Sequence, residues 1–182
     1  MPGNEDLWPL RLVHRHWLIG GILAPLHADP GYRAAMKPEA LYEVEGLLTG
    51  ADGNPPITGL DVHNASVKRT AMYETFRRLF EDVDFAVLPT TQVFPFDASL
   101  TWPRSIDGVP MSSYRRWMEV TAIGTLLGCP TIALPAGLDA RGLPMGIQVI
   151  ARNHDDLSLL QLARSWERAT GRVQQHPPSL LG

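Results

Sequence analysis

A serine is a weak nucleophile until a base takes its proton, and an acyl intermediate needs N–H groups that converge on its oxyanion. Serines beside a lysine or among glycines are therefore the first candidates for covalent chemistry. The sequence has two lysines, Lys37 and Lys68, and Ser66 stands two positions before the second. That spacing puts the pair on different sides of a helix, whereas a Ser-x-x-Lys pair shares one face. The adjacent Ser112 and Ser113 are flanked by Met111 and Tyr114 rather than glycines, which suits helix capping better than catalysis. Cys129 sits between Gly128 and Pro130 beside an apolar stretch and reads as a small buried hydrophobe rather than a reactive thiolate. His16 lies on an apolar stripe with no partner at ligand spacing, so a histidine at the edge of the core is favoured over a metal ligand. No catalytic residue, metal ligand or cofactor is assigned from these patterns. Gln148 remains, a polar residue inside an apolar run. A buried amide needs a hydrogen-bond partner, and bracing of backbone is favoured over contact with a substrate.

The elements that would position these residues follow from periodicity. Trp8, Leu12, Ile19, Leu23 and Leu26 form a stripe at helical spacing, interrupted by His16, with Pro30 as a stop beyond it. A second helix starts at Pro38 and runs through Leu41, Val44 and Leu48 to Gly50. Residues 51–58, with Asp-Gly-Asn-Pro-Pro, are a loop. Residues 61–81 form a longer helix with Ala65, Met72, Phe76, Leu79 and Phe80 inward and Lys68, Arg69, Arg77 and Arg78 in water. Residues 85–88 are a buried strand closed by Pro89 that delivers Thr90 and Thr91 to a surface or cleft. Residues 92–111 are a long irregular excursion. Ser112 or Ser113 caps a helix that reaches Leu127 and ends at Gly128. Strands at 131–134 and 145–151 are joined through residues 137–144. A last helix, capped by Asp155 or Asp156, turns Leu159, Leu160, Ala163 and Trp166 inward and stops at Gly171, with a loosely held tail after it.

Composition removes several classes. The net charge of −3 leaves no basic excess for a phosphate backbone, so nucleic acid is not an expected partner. One cysteine excludes an internal disulfide framework and fits a reducing compartment, making the cytoplasm the expected location. The opening Met-Pro-Gly-Asn-Glu-Asp has no basic segment leading into an apolar one, and residues 7–26 are broken by Arg11, His14, Arg15 and His16. Neither a signal peptide nor a membrane span is expected.

Three segments in order then carry a resemblance. They are Val83-Asp84-Phe85-Ala86-Val87-Leu88-Pro89-Thr90, Leu127-Gly128-Cys129-Pro130-Thr131-Ile132-Ala133-Leu134-Pro135-Ala136-Gly137, and Gly142-Leu143-Pro144-Met145-Gly146-Ile147-Gln148-Val149-Ile150. Each is weak alone, because Pro and Gly are common strand punctuation. Together and in this order they resemble the C-terminal portion of the amidase signature family. The resemblance implies an α/β fold, a mixed β-sheet flanked by helices. Residues 1–182 become the C-terminal portion of an amidase domain, with 1–58 a helical lead-in, 59–171 the best-matching region and 172–182 a tail. It implies an amide-bond hydrolase whose nucleophilic serine, second serine and lysine lie in a Gly/Ser-rich stretch that these residues do not contain.

By the same resemblance, Thr121 and Thr125 share a face of the helix before Gly128 and border the acyl site, with Met118 a turn before Thr121. Glutamine-specific members carry an acid at the place of Met118, and Glu119 is only its neighbour, so an apolar or aromatic amide is the better substrate. Trp102 and Tyr114 either wall that pocket or pack beneath their own loop. The partners implied are a small amide, the remaining N-terminal amidase portion or a complementary chain, and a second copy in a homo-oligomer. A non-catalytic binding or assembly module derived from an amidase is the alternative. If neighbouring strands lie outside these residues, strand edges and apolar faces stay uncovered. The isolated chain is therefore expected to associate or aggregate in sedimentation velocity, and a monodisperse, cooperatively melting monomer would contradict this.

Overall fold

The computed structural model describes residues 4–172, with side chains from Pro9 onward. Of the expected tail only Arg172 is included, and the side chain of Trp8 lies outside the described residues. The chain divides into two compact units, Met1–Thr75 and Phe76–Gly182.

In the first unit, α1 (Asn4–Arg15) continues through a π-helical turn (His16–Gly20) into α2 (Gly21–His27). The expected stripe is therefore broken. A π turn holds one more residue than an α turn and rotates everything after it around the axis. The buried residues are Leu10, Arg11, His16 and Gly20, while Leu18, Ile22 and Leu26 face water. His16 is also deeper than a core-edge residue, at 4% exposure. Its ring lies against Gly46 of α4 (Pro38–Leu48), where an added Cβ would stand 2.4 Å from the ring atoms. A Cβ on Gly20 would likewise stand 2.4 Å from the Glu43 carbonyl oxygen. Two glycines thus let the π turn and α4 come together nearly backbone to backbone.

Glu43 is fully buried at that crossing. Its carboxylate accepts from Arg15 Nε at 2.8 Å and lies 3.3 Å from His16 Nδ1. Burying a carboxylate is tolerable only when cations and donors converge on it, and these do. Pro30 opens α3 (Pro30–Ala35) rather than closing the preceding helix: Asp29 Oδ1 accepts from Gly31 N and Tyr32 N at 2.8 and 3.1 Å. A proline at the first helical position loses no internal hydrogen bond. Helix α4 ends where Gly50, at φ +92°, donates back to the Glu45 carbonyl.

Helix α5 (Gly59–Asp82) starts two residues before the expected place, and a capping box explains why. Asp61 Oδ2 accepts from Thr58 N at 2.8 Å, and Thr58 Oγ1 accepts from Asp61 N at 3.2 Å. Ala65, Met72, Phe76 and Phe80 are buried as their spacing requires, with Leu79 half-buried.

The second unit is built on an antiparallel sheet of β1 (Phe85–Pro89), β5 (Pro144–Ala151) and β4 (Thr131–Leu138), with β5 in the middle. Helix α7 (Asp156–Thr170) covers one face. Leu134, Val149, Ala151 and Leu159 form the core there, with Phe85, Ile132, Ile147, Leu162, Ala163 and Trp166 packed around them. Leu160 does not belong to that face and is 59% exposed, because the inward set steps from Leu159 to Leu162 and Ala163. Asp155 precedes α7 without capping its backbone, and accepts from the Ser158 hydroxyl instead. Strand β1 is not the buried strand its composition suggests. It is an edge strand, and Val87 is 56% exposed. Strand β4 runs on through Pro135 to Leu138 by means of a bulge between Pro135 and Gly137.

The excursion at 92–111 is not wholly irregular. Strands β2 (Ser105–Ile106) and β3 (Val109–Pro110) form a small hairpin whose turn, Asp107-Gly108, has φ of 48° and 75°. Among the described residues no helix is long and apolar enough to cross a membrane.

Replacing Glu43 with Ala strands Arg15 and His16 beside an emptied site. Urea unfolding should show a loss of about 3–5 kcal/mol, whereas Glu45→Ala, on the exposed side of α4, should leave the midpoint nearly unchanged.

Candidate functional site

Strand β1 ends at Pro89 and hands the chain to Thr90, whose N–H donates to the Gly146 carbonyl at 3.0 Å. A Cβ on Gly146 would stand 2.7 Å from Thr90 Oγ1 and 3.3 Å from the Leu134 carbonyl. The glycine in the third motif is thus the place where the threonine side chain lies flat on β5. Thr90 Oγ1 is buried and has no hydrogen-bond partner among the described residues. Thr91 donates to the Val93 carbonyl at 2.7 Å.

One step along β5, Gln148 pairs with Leu88 in register, and its side chain leaves the sheet toward the segment before α6 (Ala122–Leu127). Its Nε2 donates to the Pro89 carbonyl at 2.9 Å and to the Val120 carbonyl at 3.0 Å. Both amide hydrogens go to backbone, the bracing role expected of a buried glutamine. Gln92 completes the arrangement: its Oε1 accepts from Val120 N at 3.2 Å. Val120 is therefore held at its N–H by one glutamine and at its carbonyl by another. Gln92 carried no signal in the sequence, since a polar residue after Pro-Thr-Thr reads only as loop.

The held segment is a 3₁₀ turn, Arg116–Thr121, running directly into α6. A single helix from Ser112 was expected. Neither serine caps: the residue ahead of the turn is Arg115, Ser112 is exposed, and Ser113 Oγ is buried with no hydrogen-bond partner among the described residues. The backbone also departs from helical geometry at Met118, with φ −98° and ψ 15°. Aromatic packing governs this stretch. Phe96 meets Trp117 edge-on at 5.6 Å, Trp117 meets Tyr114 at 6.4 Å, and Tyr114 meets Trp102 at 6.0 Å, with the Arg104 guanidinium 3.7 Å above the Trp102 ring. Trp102 and Tyr114 thus pack against one another and their own loop.

The three expected substrate-side residues fall together on this turn and the start of α6. Thr121 Oγ1 donates to the Met118 carbonyl at 2.7 Å, which leaves its oxygen lone pairs as acceptors. Thr125 is exposed and only weakly bonded, 3.5 Å from the Thr121 carbonyl. Glu119 turns inward, away from service as a surface acid, and pairs with Arg116 at 3.0 Å. Gly124 lets α6 lie close to β4, since a Cβ there would stand 2.6 Å from Thr131 Oγ1.

The other nucleophile candidates, Ser66 and Cys129, lack the surroundings that would activate them. Ser66 belongs to the first unit and donates its proton to the Val62 carbonyl at 2.9 Å. Cys129 is half-buried, and burial pushes its thiol above the ordinary range, opposite to what a reactive thiolate needs. No group of three or more His, Cys, Asp or Glu among the described residues can hold a metal ion. A cleft of about 470 Å³ lined by His27, Arg33, Met36 and Leu41 lies in the first unit and includes none of the residues above.

Residues 58–160, more than half of the chain, match the family model described as Amidase. Over 127 residues the chain is 29% identical to AmiD of Mycobacterium tuberculosis, a protein bearing an amidase name, covering 70% of this chain and 26% of the relative. Over 102 residues it is 35% identical to a component of the glutamyl-tRNA(Gln) amidotransferase of Thermodesulfovibrio yellowstonii, covering 56% of this chain and 20% of that relative. Among solved structures, a bacterial aryl acylamidase of the amidase signature enzymes superposes with a TM-score of 0.73 at 20% identity. That match covers 90% of this chain and 34% of that one. The chain thus spans about a quarter of the length of AmiD and a third of the solved fold.

Removing the Gln148 amide tests the brace. Gln148→Met keeps the length of the side chain but leaves the Pro89 and Val120 carbonyls without their donor. The expected loss is about 1–3 kcal/mol in denaturant unfolding, with the largest backbone shift changes in an NMR comparison falling at Val120 and its neighbours.

Proposed function

Because the chain belongs to the amidase family, we propose that it forms part of an amide-bond hydrolase, the part that walls the acyl side of the substrate pocket. The nucleophilic serine, second serine and lysine are supplied by sequence other than these 182 residues. The observation that supports this reading most is the two-glutamine hold on Val120. It fixes the turn carrying Met118 and Thr121 to the sheet end where β1 delivers Thr90, and a substrate wall must be rigid to orient an acyl group.

The residues themselves narrow the substrate. Met118 is a flexible, polarizable side chain suited to an apolar or aromatic acyl group. The nearest acid, Glu119, is turned inward and paired with Arg116, which argues against recognition of a glutamine ammonium group. Thr121, with its proton given to the Met118 carbonyl, offers an acceptor to an amide N–H. Thr125 sits at the outer rim of the same face. The assignment of 1–182 to one portion of an amidase domain, with 1–58 as lead-in, 59–171 as the body and 172–182 as tail, belongs to the same proposal. So do a cytoplasmic setting, an amide substrate, and a partner that completes the domain.

The test is an amide-hydrolysis assay with acetanilide, benzamide and glutamine. The chain alone is expected to be inactive. Reconstituted with the N-terminal portion of an amidase, it should favour the aryl amides, and Met118→Asp should lower kcat/KM for acetanilide by roughly tenfold, mainly through KM. Robust turnover by the isolated chain, abolished by a point change within it, would overturn the reading.

A further inference from the structure

The first unit holds a cleft of about 470 Å³ that the candidate site does not use, within the roughly 300–1,000 Å³ of sites that take small organic molecules. Consecutive segments build it. The end of α2 contributes His27, α3 contributes Pro30, Arg33 and Ala34, and Met36 and Leu41 come from the linker to α4 and its first turn. Spacing explains the middle set. Positions i, i+3 and i+4 share one face of a helix, so Pro30, Arg33 and Ala34 are the face that α3 turns to the cleft. The extended backbone at Met36 and Lys37 then separates that face from α4.

The polar groups of this cleft are basic, and no Asp or Glu lines it, although acids lie close by in the sequence. Asp29 is committed to the α3 cap, where its Oδ1 accepts from Gly31 N and Tyr32 N. Glu43 is committed to Arg15 and His16. The Arg33 side chain is exposed and has no hydrogen bond or ion pair among the described residues. His27 is half-buried, and its Nε2 is sealed from solvent with no hydrogen-bond partner among the described residues. A proton on that nitrogen would be an orphaned donor, so the uncharged ring carries it on Nδ1, which is left to donate to a ligand. The remaining lining is apolar, and the Met36 thioether favours contact with an aromatic ring.

We infer that this cleft binds a small aromatic carboxylate, with the anionic group on Arg33 and His27 and the ring against Met36 and Leu41. Charge and shape together select this ligand. One planar guanidinium matches one carboxylate through two parallel N–H···O bonds. A phosphate dianion would need further cations that the lining does not contain, and a polyhydroxylated ligand would find no polar side chain beyond these two. The inference does not depend on the amidase reading, because it uses none of Met118, Thr121 and Thr125.

Equilibrium dialysis of the full chain against radiolabelled 3-phenylpropionate, which works whether the chain is monomeric or associated, should show saturable binding. Arg33→Gln should weaken it by roughly tenfold or more, and Arg33→Lys, which keeps the charge but loses the fork, by less. In the unsubstituted chain, the acid should slow the modification of Arg33 by phenylglyoxal, read by peptide mass spectrometry. Arg78, exposed on α5, should react at the same rate with and without the acid. Neither 3-phenylpropionamide nor inorganic phosphate should protect Arg33. The inference is overturned by absence of saturable binding, by an amide or phosphate that protects Arg33 as well as the acid does, by equal protection of Arg33 and Arg78, or by binding that survives Arg33→Gln unchanged. The protection experiment needs no substitution, so it decides the matter even if a variant misfolds.

Discussion

Two hydrogen bonds from one side-chain amide hold the second unit's polar end together. Gln148 sits in the central strand, between a neighbour that ends at Pro89 and a turn that carries Val120, and both of those backbone carbonyls need a donor. A buried carbonyl left without one costs about 1–3 kcal/mol. A proline has no N–H to give, and beyond Pro89 the pairing is taken up by Thr90, whose N–H donates to the Gly146 carbonyl. The glutamine resolves both demands at once, and Gln92 holds the same residue, Val120, from its other side. What surrounds this joint follows from it: Gly146 must be bare so that Thr90 can lie beside the brace, and Gly124 must be bare so that α6 can come down on β4.

The first unit relies on a different constraint, an acid placed where no water reaches. Glu43 would be intolerable at the α4 crossing without Arg15 and His16 beside it. The close approach through Gly20 and Gly46 is what brings those groups within reach. Both units thus use glycine in the same way, to let a polar group and a backbone occupy space that a methyl group would deny them, although one purpose is electrostatic and the other is hydrogen bonding.

The legible parts of the sequence were those governed by local rules. The long helix with Ala65, Met72, Phe76 and Phe80 inward, the order of the three strand motifs, and the backbone-bracing role of Gln148 all follow from period, punctuation and the need of buried amides for partners. The capping box at Thr58 and Asp61 and the Asp107-Gly108 hairpin were equally local and could have been read from their residue patterns. Other features were beyond sequence. A π turn leaves the apolar spacing on either side intact and changes only the phase between them, so Leu26 looked inward although it is exposed, and Leu23 is only half-buried. Leu160 and Val87 have the composition of core residues, and only the partner elements decide which faces are covered. Ser112 and Ser113 looked like caps because nothing in their neighbourhood announces that Trp117, Tyr114 and Trp102 pack together first. For the candidate site, Met118, Thr121 and Thr125 were found through family resemblance, whereas the glutamine that positions them, Gln92, needed coordinates.

The π turn has a consequence for how this chain tolerates changes of length. With its extra residue between His16 and Gly20, the segment reaches the crossing with Gly46 and still continues as helix on both sides. A one-residue deletion there would be absorbed without breaking the rod, by reverting to ordinary α geometry, and since the π turn already lags an α-helix by about one residue's rotation, roughly 100°, α2 would keep its present face. Loss of the extra residue would therefore be silent both in helical content and in which side of α2 meets solvent, whereas a relative of equal length with a plain α-helix here would turn a different side of α2 outward.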